Sequence, residues 1–232
     1  VSNFLRQLDI INPDHLVYPV TCVGLGGIGS FTAVALRKLG FRKFFLYDGD
    51  IVEAHNVPSQ NFTPNRVGML KATALAEILH ECFDDEADIY PRPTQFRGDE
   101  PLEGIVVSGV DSMSSRKIIW RAVQNSRALV PLYIDGRIGI EWSEEEHRVI
   151  GEWIEIFSVN PSSTDDIEFY EPHLFEDEEA APFHCTAQAV IYTGNIIAGI
   201  ITSNVKKWIC KEKFPRHFLF DVLTLDMLHA IE

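Results

Sequence analysis

Residues 21–40, TCVGLGGIGSFTAVALRKLG, restrict the fold more than any other stretch of this sequence. An apolar run leads into Gly24, Gly26, Gly27 and Gly29, a GxGxxG pattern. Ile28, Phe31, Val34, Ala35 and Leu39 then recur near helical spacing, and Gly40 ends the run. The reading is a strand at 17–23, a helix at about 28–39 and a second strand at 43–47. That is a βαβ unit, with the right-handed crossover such units adopt. Glycines let a backbone approach phosphate, and a helix N-terminus offers unpaired N–H groups. Asp48 ends the second strand 19 residues after Gly29, where an acid can hold ribose hydroxyls. NAD, FAD and ATP are served equally by this much, and so is a tight turn that binds nothing.

Further along, the pattern gives a helix at 66–83, strands near 87–91 and 104–108, and a helix at about 113–126. A strand at 129–135 and an antiparallel extension at 137–159 follow. Residues 160–184 hold eight acids and no Lys or Arg, which reads as an acidic crossover loop, either solvated or ordered by a partner. A long apolar helix at 186–210 and a last strand, FLFDVLTL, close the chain. The expected fold class is α/β, a Rossmann-like, doubly wound mixed sheet with helices on both faces, in a single domain over 1–232. The net charge of −14 disfavours nucleic acid and suits a basic partner surface. No apolar stretch reaches membrane-spanning length, and VSNFLRQLDIINPD lacks a signal pattern, so a cytoplasmic protein without a membrane partner is expected. The four cysteines form no CxxC pair, so no zinc is expected.

The order of the remaining polar residues narrows the ligand. Arg6-Gln7 precedes the glycines; Asp48-Gly49-Asp50, Val52-Glu53, Asn56, Gln60, Gly68 and Lys71 follow, then Asp111-Ser112 with Arg116 a helical turn on. This order resembles the ThiF/MoeB superfamily, the ubiquitin-activating-enzyme-like adenylyltransferases, over most of residues 5–120 and again at 185–209. The resemblance implies an ATP-dependent enzyme that adenylates the C-terminal glycine of a ubiquitin-like or sulfur-carrier protein. It implies that Asp48 holds the ribose with Asp50 as a second polar contact, that Asn56, Gln60 and Lys71 hold phosphates, and that Asp111 holds Mg²⁺. Arg6 matches an arginine that family members reach across a dimer interface, so a homodimer is expected. A conjugating enzyme enters as a further partner. On the residues alone, Lys71 also reads as a surface lysine, Asp111 as a helix cap in competition with Ser112, and Arg6 as an ordinary terminal arginine.

Two positions carry special weight. The family pattern N-x-x-R-Q reads Asn56-Val57-Pro58-Ser59-Gln60 here, so a triphosphate-facing arginine is replaced by Ser59. Arg66 is near enough in sequence to stand in for it. Cys185 follows His184 at the expected helix start, a setting that favours thiolate, and the resemblance makes it the acyl acceptor for a thioester. Cys22 reads as a core residue; Cys82 and Cys210 end helices. The competing functions are a degenerate adenylation fold that serves as a binding scaffold, and a nicotinamide- or flavin-dependent oxidoreductase.

Overall fold

The structure, a computed structural model, describes residues 4–83, 86–176 and 190–231, for 228–231 in backbone only. Eight strands form one mixed sheet: β1 Val20–Val23, β2 Lys43–Tyr47, β3 Asp88–Arg92, β4 Ile105–Ser108, β5 Leu132–Ser143, β6 Arg148–Val159, β7 His217–Asp221 and β8 Asp226–Ile231. Their order is β3-β2-β1-β4-β5-β6-β7-β8. The first five pair in parallel, and β5 to β8 form an antiparallel meander. Among the described residues the α-helices are α1 Gly29–Leu39, α2 Lys71–Glu81, α3 Met113–Asn125, α4 Thr164–Tyr170 and α5 Ile191–Ile209. This is the doubly wound α/β class that the glycine loop implies.

Strands β1 and β4 are buried along their whole length, as parallel strands covered on both faces must be. On one face Cys22, Leu46 and Val107 pack with Leu36 of α1, Leu75 of α2 and Ile201 of α5. On the other, Val106 and Tyr133 pack with Ile119, Trp120 and Val123 of α3 and Tyr170 of α4. Burial pushes the Cys22 thiol up to about 12, so it is a neutral core group.

Several boundaries differ from the sequence reading. β1 starts at Val20 rather than residue 17, because Pro19 has no N–H to donate; its carbonyl instead accepts from Ile105. α2 starts at Lys71 rather than 66: Pro64–Arg66 is a 3-10 turn, and Gly68 at φ +91° breaks the path. β5 runs unbroken through both the strand and the extension expected around 136. The acidic segment is not all loop. Ser163 accepts the Asp166 N–H and starts α4, Asp165 and Asp166 suit its positive end, and a 3-10 turn at Glu171–His173 follows. The last strand is a hairpin, turned at 222–225.

Candidate functional site

A cavity of about 750 Å³ opens at the C-terminal ends of β1, β2 and β4, where the chain crosses over to opposite sides of β1. Val23, Tyr47 and Gly109 form its floor at these strand ends. The glycines divide their work. Gly24 has φ +83°, and a Cβ there would lie 2.9 Å from the Gly109 carbonyl. A Cβ on Gly29 would overlap the Gly24 carbonyl, so Gly29 packs α1 beneath the loop and does not line the cavity. Gly26 and Gly27 do line it. A Cβ on Gly26 would meet only the Gln60 amide nitrogen, 3.8 Å away, so this position is an open cradle.

Asp48 ties the rim together. Its Oδ2 accepts the Leu25 N–H at 2.7 Å and its Oδ1 the Asp50 N–H at 2.8 Å. Burial holds its pKa above the usual carboxylate range, against the pull of these two N–H groups and of Lys71. Asp50 Oδ2 pairs with the Lys71 ammonium at 2.9 Å, and Lys71 is buried at the first position of α2. Asn56 accepts the Glu53 N–H through its side chain, while its carbonyl accepts from Ser59 and Gln60; it shapes the loop that presents them. Gln60 Oε1 is buried with no hydrogen-bond partner among the described residues. An orphaned acceptor on a cavity wall suits a ligand that brings a hydrogen-bond donor.

Asp111 lies on the cavity wall just after β4. Ser112, not Asp111, caps α3 by accepting the Ser115 N–H, which leaves the Asp111 carboxylate exposed to the cavity. Arg116 fixes the backbone beside it: Nη1 donates to the Val110 carbonyl at 2.6 Å, Nη2 to Gly136 at 3.1 Å, and Nε faces Asp135 at 3.2 Å. Among the described residues no three His, Cys, Asp or Glu side chains come together as a metal-holding set.

The other expected residues lie elsewhere. Arg6 is exposed and does not line the cavity; its neighbour Gln7 is bonded to the Leu39 carbonyl, at the opposite end of α1. Arg66 cannot replace the missing arginine. It is drawn into ion pairs with Glu77 and Glu81 of α2 and lies off the cavity. Cys185 lies outside the described residues, as do 177–184 of the acidic segment. Cys82 donates to the Ile78 carbonyl and Cys210 to Ile10, both away from the cavity. Sequence reasoning missed His55 and Phe96 as lining residues. A helical-spacing signal could not find His55, which sits on a 3-10 turn, nor Phe96, which follows β3 in a loop.

The ThiF family profile matches residues 18–231. This chain belongs to the ThiF family. It is 26% identical to ubiquitin-like modifier-activating enzyme 5 of Aedes aegypti over 201 residues, covering 82% of this chain and 50% of that protein. It thus spans about half the length of the relatives it matches. Among solved structures, PaaA superposes with a TM-score of 0.71 at 17% identity, covering 100% of this chain and 73% of that one. Escherichia coli MccB with ATP gives 0.68 at 18% identity, covering 99% and 69%. These two support the ThiF fold. No described helix is long and apolar enough to cross a membrane.

Proposed function

We propose that this cavity uses ATP to adenylate the C-terminal carboxylate of a ubiquitin-like or sulfur-carrier protein. The observation that carries this reading is the convergence of an open glycine cradle, an orphaned Gln60 acceptor, Lys71 and Asp111 on one cavity. A carboxylate oxygen attacks the α-phosphorus, the bond to the bridging oxygen breaks, and pyrophosphate leaves with that electron pair. The product is an acyl-adenylate. Gly26 and Gly27 would lie against phosphate, Asn56 would keep the loop in place, the Gln60 amide N–H and the Lys71 ammonium would donate to phosphate oxygens, and Gln60 Oε1 would accept from a ligand hydroxyl or water. Asp48 and Asp50 would bracket the ribose side. Asp111 would hold Mg²⁺, with its remaining ligands drawn from triphosphate oxygens and water. When bound, that ion supplies charge neutralisation for the departing pyrophosphate. The same reading extends to one adenylation domain over 1–232, a homodimer in which Arg6 serves the partner's site, and passage of the acyl group to Cys185 before a conjugating enzyme.

The test is ATP–pyrophosphate exchange with a panel of ubiquitin-like proteins ending in glycine. Exchange should appear with a cognate carrier, fall by two orders of magnitude or more in Asp111→Ala, and survive Cys185→Ala, which should lose only a thiol-sensitive adduct. Exchange that ignores Asp111 would sink the assignment. Gly26→Ala probes the cradle separately. The new methyl group would meet only the Gln60 amide nitrogen, 3.8 Å away, so melting should be unchanged while ATP affinity drops at least about tenfold by calorimetry.

The second reading, a scaffold that binds without turnover, is favoured by Ser59 and by the commitment of Arg66 to α2. ATP binding without exchange for any carrier would support it.

A further inference from the structure

The charged residues lining the cavity are mostly acidic. Asp48, Asp50, Glu53 and Asp111 supply four carboxylates, against the cations Lys71 and Arg116. Both cations are already engaged: Lys71 with Asp50, and Arg116 with two backbone carbonyls and Asp135. A nucleoside triphosphate adds several more negative charges. Ser59 brings none of the positive charge an arginine would, and Arg66 is held on α2.

One further side chain on the cavity wall can become positive. His55 lies in the 3-10 turn Ala54–Asn56, four residues before Ser59, and lines the same cavity. Its side chain is 73% exposed, so water solvates its charged form. Glu53 Oε2, 3.5 Å from Nε2, faces it from its own turn. Across the cavity stand Asp48 and Asp50 after β2, Lys71 on α2 and Asp111 before α3. Imidazole is the side chain whose ordinary range puts its charge change between pH 5 and 8.

We infer that His55, as imidazolium, supplies the phosphate-facing cation that Ser59 does not, and that triphosphate affinity in this chain therefore tightens as pH falls. This inference rests on the ATP-site reading above. The sign follows from linkage: a bound polyanion favours the protonated imidazole, so binding takes up a proton and is stronger where the proton is available. The contact is exposed, so its size is that of a surface ion pair, about a five-fold change in affinity.

The experiment measures binding of ATP, and of AMP as control, to the full chain by calorimetry at pH 6 and pH 8 with fixed Mg²⁺. Wild type, His55→Gln and Ser59→Arg are compared, with melting curves to verify folding. Protonation of ATP itself is common to all three proteins and cancels in the comparison. Wild type should bind ATP about five-fold more tightly at pH 6 than His55→Gln does, with the difference vanishing at pH 8 and absent for AMP. Ser59→Arg should bind tightly at both pH values. If His55→Gln keeps the wild-type pH profile for ATP, the inference is overturned while the ATP site stands. If no variant binds ATP at either pH, the adenylation reading falls and takes this one with it.

Discussion

Asp135→Ala is expected to destabilise the chain by about 3–5 kcal/mol, because it leaves two buried guanidinium groups without their shared counter-charge. Asp135 is fully buried on β5. One oxygen faces Arg116 Nε at 3.2 Å; the other accepts from Arg137 Nε at 2.8 Å and from the Tyr170 hydroxyl at 3.0 Å. Arg137 continues to Glu155 at 3.3 Å and to the His173 carbonyl, and Glu155 meets His217 at 2.9 Å. Burial alone would raise the Glu155 pKa, but His217 and Arg137 outweigh it and hold it low. The measurement is urea denaturation, read as a lower midpoint at unchanged slope. Asp135→Asn should lose less, since it keeps an acceptor for Tyr170. A loss below 1 kcal/mol for the alanine variant would mean that water reaches these charges. The network also bears on the cavity, because Arg116 holds the Val110 carbonyl next to Asp111.

Lys71→Met should lower carrier-dependent pyrophosphate exchange by about 10²–10³-fold, the usual cost of removing one preorganised charge from a developing anion. The fold should tolerate the change. The methionine keeps the apolar stem, and the partner Asp50 is two-thirds exposed and can be hydrated. If kcat/KM and kcat fall together, Lys71 acts in the transition state; if KM alone rises, it only anchors ATP. A loss under threefold would remove Lys71 from the phosphate-binding set. Ground-state ATP affinity, measured in parallel, separates the two cases.

The parallel half of the fold is legible because its signals are local. Gly24 and Gly29 mark the β1–α1 turn by steric need, and KFFLY is an apolar run of strand length. The helix at Thr164–Tyr170 was hidden by its own charge. Its cap, Ser163, and the acids of its first turn are ordinary start signals, but the long acidic run reads as solvated loop. The final hairpin was hidden for a different reason. Its turn has no Gly, Pro or Asn; Asp221 accepts the Leu223 and Thr224 N–H groups, and Leu225 takes φ +63°. A left-handed leucine leaves no mark in composition. Of the candidate site, the expected residues that share the cavity come from the β1–α1 turn, from the segment between the end of β2 and the start of α2, and from the β4–α3 turn. What sequence could not give is commitment: whether Arg66 is available or taken depends on Glu77 and Glu81 lying one face along α2. Spacing along the chain does not register competition for a charge.

The position of β1 has a consequence for how the chain is made. β1 leaves the point of synthesis well before β4, yet pairs with it on one side, its first partner residue lying 85 positions later. Until then one edge of a strand destined for full burial has unmet backbone donors and acceptors. β5–β6 and β7–β8 differ, since each closes over a short turn as soon as its second strand is complete. The half that carries the glycine loop is therefore translated before the meander but finished through long loop closures. Exposure to aggregation during refolding is concentrated there, and any chaperone dependence of this chain falls on residues 20–108 rather than on the meander that follows.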